Sequence, residues 1–275
     1  MKINNLPNLP SFKKVIPILS GFEIGIPINI ISKVSTDVNF KQSPLTKESI
    51  LLNCILGFSA YKQDRYLDSL EYFENINCNN STYVIINKKH DYYYSIVENE
   101  KSVQFTLFCS YIAICIFAVY FHIGIILPLF SSTFTYKYFK QNKNVSYLKP
   151  FYVAGMWTFC TIMIPLLIND NQLVINNYDL FNAMSPTFLN LFALTNLADL
   201  KDYDEDLLNG VNTLPIILGP LKTKSIVLLS SILSTIMFIN NPYYINNFQN
   251  MFYVSSNIFP YYSLFNFTNT LCELN

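Results

Sequence analysis

The chain is 275 residues long, 51% hydrophobic and only 13% charged, and its formal net charge is zero. Soluble domains carry about a quarter charged residues, so this composition excludes an ordinary soluble protein. The basic residues are dispersed along the chain, so no nucleic-acid partner is indicated. The six cysteines form no CxxC pair, and neither a disulfide framework nor a zinc site is indicated.

Four long stretches without Asp, Glu, Lys or Arg determine the class of protein. They cover residues 102–136, 150–169, 180–198 and 225–271. A helix needs about 20 apolar residues to cross a bilayer, so the two longest stretches can each supply two crossings. The sequence therefore predicts an all-α, polytopic transmembrane bundle of about eight helices, with residues 1–275 forming a single integral-membrane domain.

The predicted crossings follow the apolar segments in chain order. The first contains Glu23, an acid that either has a function inside the membrane or is satisfied by a neighbouring group. Residues 69–102 are polar and aromatic and are expected to form an extramembrane cap loop. A turn between two crossings is expected near His122 and Gly124. The predicted spans are 15–32, 44–61, two within 105–136, 150–168, 178–198, 225–239 and 252–267.

A first pair of carboxylates follows the second predicted crossing. Asp64 and Asp68 are spaced i, i+4 and therefore share one face of a helix. Arg65, the only arginine in the protein, lies between them. Arginine binds phosphate as a rigid bidentate fork, which favours an anionic substrate here. The alternative is that Arg65 is an i, i+3 ion-pair partner of Asp68 on a solvated face.

A second acidic segment follows the crossing predicted at 178–198. Asp199, Asp202 and Asp206 are spaced i, i+3, i+7, so on a helix they share one face and repel each other unless a cation neutralises them. Mg²⁺ suits such oxygen ligands, because it binds through one or two carboxylates plus substrate phosphates. A solvated acidic helix start is an alternative. A calcium loop is a weaker one, since Leu207 stands where glycine is needed.

Counting crossings relates the two acidic segments. Four predicted crossings separate Asp68 from Asp199, so both segments are expected on the same side of the membrane. A lysine-rich loop falls on that side too, which by the positive-inside rule is the cytoplasm or its organellar equivalent. We therefore expect a site for a metal-bridged polyanion at one membrane surface. The lysines of this loop are Lys137, Lys140, Lys143 and Lys149.

The second acidic segment also resembles a known motif. Residues 199–215, from Asp199-Leu-Lys-Asp202-Tyr-Asp-Glu-Asp206 to Thr-Leu-Pro215, are similar to the second aspartate motif of the UbiA superfamily of intramembrane prenyltransferases, which is DxxDxxxD followed by Gly and Thr-Leu-Pro. Residues 64–68 resemble the DxxxD end of that family's first motif, although Ala60 stands where its Asn is expected. Residues 148–157 resemble the start of its fifth helix. The similarity covers about residues 44–267.

This resemblance implies a helical barrel that holds a prenyl diphosphate. Mg²⁺ bound at both aspartate motifs bridges the diphosphate, and basic residues hold its other oxygens. Ionisation gives an allylic carbocation, which alkylates a lipophilic and commonly aromatic acceptor. The implied metal-binding and catalytic residues are Asp64, Asp68, Asp199, Asp202 and Asp206, and the implied substrate-binding residues are Arg65, Lys137 and Lys149.

Two alternatives to an active prenyltransferase stay open at this point. One is a non-catalytic relative of the UbiA superfamily. The other is a lipid- or cation-binding membrane transporter, because acids at the membrane edge also serve ion pathways.

Overall fold

The computed structural model describes residues 28–32, 46–77, 90–122, 142–168, 177–208 and 210–239. These residues are almost entirely helical and contain no strand, which confirms the all-α prediction for this part of the chain. Residues 28–32 form a short helical stretch, and a 3-10 segment, Lys143–Leu148, leads into α4. The helices are α1 (Lys47–Asn77), α2 (His90–Glu98), α3 (Glu100–Tyr120), α4 (Lys149–Ile168), α5 (Asn177–Lys201), α6 (Tyr203–Leu208), α7 (Leu214–Leu218) and α8 (Pro220–Ile239).

Three segments of the described chain are long and apolar enough to cross a membrane: Glu100–Tyr120, Lys143–Ile168 and Pro220–Phe238. By length and composition, these segments are consistent with a membrane protein. Of the first predicted crossing, only residues 28–32 are described. Glu23 and the last predicted crossing, 252–267, lie outside the described residues.

The surface of α3 has the pattern of a helix in contact with lipid. Its buried residues lie on one side and include Val103, Leu107 and Ile114. Large apolar side chains repeat along the other side at intervals of three to four residues, which places them in one stripe. A contiguous apolar surface of this kind marks an interaction with a membrane or a partner. The exposed side chains are Phe105, Phe108, Ile112, Ile116 and Val119.

The described chain divides into two compact units. The first contains residues 54–77 and 90–122, and the second contains residues 28–32, 46–53, 142–168, 177–208 and 210–239. In the first unit, the later part of α1 packs with α2 and α3 around an aromatic cluster. The described parts of the predicted cap loop, 69–102, are helical rather than loop, because this cluster buries their apolar side chains. The buried members of the cluster are Tyr72, Tyr93, Ile96, Val103 and Leu107.

In the second unit, α5 packs against both α4 and α8. On the α4 side, Ala183 packs with Ile162 and Leu166. On the α8 side, Val227 packs with Ala193 and Leu200. Because α5 has neighbours on two sides, its polar side chains inside the unit are removed from both water and lipid.

The described chain reaches only the start of the turn expected near His122 and Gly124. Helix α3 ends at Tyr120, and His122 follows with a positive φ of 53°. The second crossing predicted after this turn lies outside the described residues, since residues 123–141 are not among them.

Candidate functional site

The three carboxylates of the second aspartate motif surround the junction of α5 and α6. Asp199 lies in the last turn of α5, Asp202 in the turn that follows, and Asp206 in α6. They are therefore not on one continuous helix. The backbone N–H of Asp202 donates to the carbonyl of Ala198 (3.3 Å), and that of Asp206 donates to Asp202 (2.9 Å). These bonds preserve the helical repeat across the break, so the carboxylates stay close together.

Lys149, at the start of α4, reaches the second motif. Its Nζ lies 3.3 Å from Oδ1 of Asp199, whose side chain is only 7% exposed. The other oxygen of Asp199, Oδ2, is buried and has no hydrogen-bond partner among the described residues. Leaving a buried carboxylate oxygen unpaired costs free energy. The Lys149–Asp199 pair therefore leaves one oxygen available to a cation or a donor.

The pKa of Asp206 depends on the charges of Asp199, Asp202 and Lys149. Burial and the carboxylates of Asp199 and Asp202 raise its pKa, and Lys149 and the nearby Thr213 hydroxyl oppose the shift, so that the pKa is about 7. Like charges disfavour each other's ionised form. A divalent cation at this position would remove the repulsion and stabilise all three carboxylates.

The loop after α6 is fixed by glycine geometry and backbone bonds. Gly210 has a φ of 64°, a left-handed conformation that L side chains rarely adopt. This conformation ends α6 and lets the N–H of Val211 bond to the carbonyl of Asp206 (2.9 Å). The N–H of Asn212 then bonds to the carbonyl of Lys143 (3.0 Å). The acidic segment and the lysine-bearing segment are thereby joined by their backbones.

The first acidic cluster is organised around Arg65. Its Nη1 lies 3.2 Å from Oδ2 of Asp68, and its Nη2 lies 3.8 Å from Oδ2 of Asp64. Its Cζ lies 5.0 Å from the centroid of the Tyr61 ring. Burial opposes the charge of Arg65, but the two carboxylates outweigh burial and raise the pKa of the guanidinium. The i, i+3 ion pair considered from the sequence is therefore present, and it holds both carboxylates on one side of α1.

The structure groups the predicted site residues into two sets. Asp64, Arg65 and Asp68 belong to the first unit, while Lys149 and the carboxylates of the second motif belong to the second unit. That the two groups of residues together form one site stays a prediction. Lys137 lies outside the described residues.

The residues of the second motif fit Mg²⁺ by their chemistry. Among the residues that the structure describes, no three His, Cys, Asp or Glu side chains form a group that could hold a metal by themselves. Mg²⁺ does not require such a cage, because it takes one or two carboxylates and fills its shell with waters and substrate phosphates. The buried, unpaired oxygen of Asp199 is one donor of this type, and Mg²⁺ binding at the second motif stays a prediction.

Sequence patterns missed several buried polar residues inside the second unit. Asn190 and Asn196 on α5 and Ser231 on α8 are buried, and each has a side-chain atom without a hydrogen-bond partner among the described residues. The only sequence signal was their position in runs without ionisable residues, where asparagine is costly unless it has a partner.

Comparison with protein-family models, curated proteins and solved structures finds no match.

Proposed function

We propose that this protein is a UbiA-like intramembrane prenyltransferase built as a bundle of about eight crossing helices. It transfers a prenyl group from a prenyl diphosphate to a lipophilic, typically aromatic acceptor, with Mg²⁺ as its cofactor and the aspartate motifs on the cytoplasmic or organellar-equivalent side. One observation carries the proposal: the buried Asp199 carboxylate is paired on one oxygen with Lys149 and unpaired on the other. It also begins a DxxDxxxD pattern.

The reaction separates charge next to an apolar interior. The C1–O bond of the prenyl diphosphate breaks, and diphosphate leaves with the electron pair. An electron-rich carbon of the acceptor attacks the allylic cation, and the acceptor then loses a proton to solvent. Bound Mg²⁺ supplies positive charge that offsets the charge on the leaving diphosphate. Lys149, Arg65 and Lys137 would hold the remaining phosphate oxygens.

Aromatic rings of α4 and α5 contact one another in the second unit. The rings of Phe151 and Phe192 have centroids 4.6 Å apart, and those of Phe188 and Phe192 are 6.1 Å apart. Phe192 precedes Asp199 by about two helical turns, or roughly 10 Å. Aromatic faces stabilise a cation through their quadrupoles, and an apolar wall excludes water that would quench it. In the proposed reaction, these rings would stabilise the allylic cation.

The direct test is Mg²⁺-dependent release of diphosphate from labelled prenyl diphosphates, measured in membranes that contain the protein. Removing a group that stabilises developing charge typically costs about 100-fold or more in rate, so we expect Asp202→Ala and Asp64→Ala to lose at least that much. Asp179→Ala is the matched control, because Asp179 lies in the first turn of the same helix, α5, outside the motif. Equal release from wild type and all three variants would refute the enzymatic function.

A further inference from the structure

Asn196, one turn before Asp199 on α5, has a buried side-chain oxygen without a hydrogen-bond partner. The residue is 0% exposed, and its Nδ2 donates to the carbonyl of Phe192 (2.8 Å). Only the nitrogen of a side-chain amide can donate to a carbonyl, so this bond fixes the orientation of the amide. The atom that has no partner among the described residues is therefore the oxygen, Oδ1.

Asn196 and Asp199 lie on the same side of α5. The helix is continuous through both residues, and residues three positions apart are separated by only about 60° around a helix axis and are neighbours on its surface. Lys149 pairs with Oδ1 of Asp199, while Oδ2 of Asp199 is buried and has no partner within the described chain. Two buried acceptor atoms without partners therefore lie one turn apart on the same side of the helix.

These two oxygens cannot satisfy each other. An amide oxygen and a carboxylate oxygen only accept hydrogen bonds, so the missing partner has to supply positive charge or donors. A diphosphate oxygen is unsuitable as a direct partner, because it is itself a negatively charged acceptor. A hydrated Mg²⁺ supplies both charge and donors, since it usually keeps several of its waters when it binds to carboxylates. A diphosphate would then reach this pair of oxygens only through the cation or its waters.

We propose that Asn196 is a positioning residue for the cation of the second aspartate motif. Its Oδ1 accepts a hydrogen bond from a water of the Mg²⁺ that Asp199 binds through Oδ2. Groups that hold the ligands of a metal from outside its coordination shell orient those ligands and strengthen binding. The assignment adds an uncharged residue that lies before the DxxDxxxD pattern, and it rests on the proposed function for the identity of the metal.

Titration calorimetry with Mg²⁺ alone, on the full-length protein in detergent, tests the assignment without a prenyl diphosphate. Asn196→Leu removes the amide oxygen and keeps a side chain of similar size, and Asn196→Ala removes it without adding bulk. Loss of such an outer group typically costs roughly 10- to 100-fold in metal affinity. We therefore expect both variants to bind Mg²⁺ at least about tenfold more weakly than wild type.

Asn190→Leu is the matched control. Asn190 is the same type of residue on the same helix, is 1% exposed, and also has no side-chain partner in the part of the chain that the structure describes. It precedes Asp199 by two and a half helical turns, which places it on the opposite side of α5. Its substitution should therefore leave the Mg²⁺ affinity at the wild-type value.

Two further measurements separate a positioning role from a structural one. Asn196→Asp keeps an oxygen at this position, and in its protonated form it can still donate to the Phe192 carbonyl, so it should restore Mg²⁺ binding. A bound ligand stabilises the folded state in proportion to its affinity. Mg²⁺ should therefore raise the melting temperature of wild type and Asn190→Leu by more than that of Asn196→Leu.

Equal Mg²⁺ affinity for wild type, Asn196→Leu and Asn196→Ala would overturn the assignment. An equal loss in Asn190→Leu would also overturn it, as would a wild-type protein that binds no Mg²⁺. The two proposals can fail separately. Weakened Mg²⁺ binding in the Asn196 variants, with no diphosphate release from wild type, would support the role of Asn196 and refute prenyl transfer, whereas normal release with unchanged Mg²⁺ affinity would refute only the role of Asn196.

Discussion

At the scale of single residues, the ion pair between Lys149 and Asp199 makes the clearest prediction. Lys149→Met leaves a buried carboxylate without its cation, which is destabilising because the charge stays desolvated. Lys149 is 30% exposed, so we expect a modest loss of about 1–2 kcal/mol in the free energy of unfolding. Lys149→Met should also raise the KM for the prenyl diphosphate, because the proposed contact of Lys149 with the phosphate oxygens is lost.

The controls for this prediction separate charge from packing. Lys222→Met changes an exposed lysine of α8 and should leave stability unchanged. Adding Asp199→Asn to Lys149→Met removes the uncompensated charge and should restore much of the lost stability. A double variant as unstable as Lys149→Met would show that the ion pair is not the cause.

The raised pKa of Asp206 predicts that metal affinity and stability both depend on pH. Its carboxyl has a pKa of about 7 in the folded, metal-free protein, against an ordinary value of 3.8. Mg²⁺ needs the ionised form, so metal affinity should rise between pH 6 and 8, as protons cease to compete. The metal-free protein should lose stability as pH rises from about 4 to about 7, because only the folded state retains the proton there. Titration calorimetry and thermal melts measure the two effects.

Asp206→Asn tests the assignment of that pH dependence. The variant has no titrating group at this position, so the affinity profile should flatten between pH 6 and 8 and the stability profile should flatten between about pH 4 and 7. Profiles identical to those of the wild-type protein would assign the titration to another residue.

At the scale of helices and turns, Gly210 controls how the acidic segment ends. A Cβ at this position would meet nothing within 4 Å, so the cost of Gly210→Ala comes from its left-handed backbone alone. We expect a loss of about 1 kcal/mol in stability, and a smaller loss for Gly210→Asn, because Asn tolerates this conformation better. Gly155→Ala is the contrast, since its Cβ would lie 4.0 Å from Phe188 and it should be neutral or stabilising. Thermal melts in detergent compare the three variants.

The helices also show which elements the sequence could predict. The uncharged run at 150–168 predicted α4, Lys149–Ile168, almost to the residue, because apolar length alone determines a membrane-crossing helix. Helix α2 was missed, because its sequence is polar and aromatic and its burial depends on contacts of Tyr93 with Tyr72, which lies 21 positions earlier. Periodicity along one segment cannot reveal such a contact.

At the scale of the whole molecule, the count of crossings predicts that both aspartate motifs lie on one side of the membrane. In a cysteine-free background, Glu71→Cys and Lys201→Cys place reporters next to the two motifs at exposed positions. A membrane-impermeant maleimide should label both from the cytoplasmic or equivalent side. Labelling of the two reporters from opposite sides would refute the topology and, with it, the shared site.

The candidate site was only partly predictable from the sequence. The carboxylates and Lys149 could be named because charges are conspicuous in an apolar chain. Their position on one side of the membrane stays a prediction from the count of crossings. The ion pair of Lys149 with Asp199 and the interruption at Asp202 depend on how α4, α5 and α6 pack. Asn190 and Ser231 were not predicted, because whether a buried amide or hydroxyl has a partner is a property of three-dimensional packing rather than of residue type.

The backbone bond from Asn212 to Lys143 restricts how a molecule can reach the carboxylates. It fastens the loop after α6 to the 3-10 segment that carries Lys143, so we expect these two segments to shift as a unit. If the protein binds a prenyl diphosphate as proposed, we expect the isoprenoid chain to enter from a different flank, where no main-chain link must open.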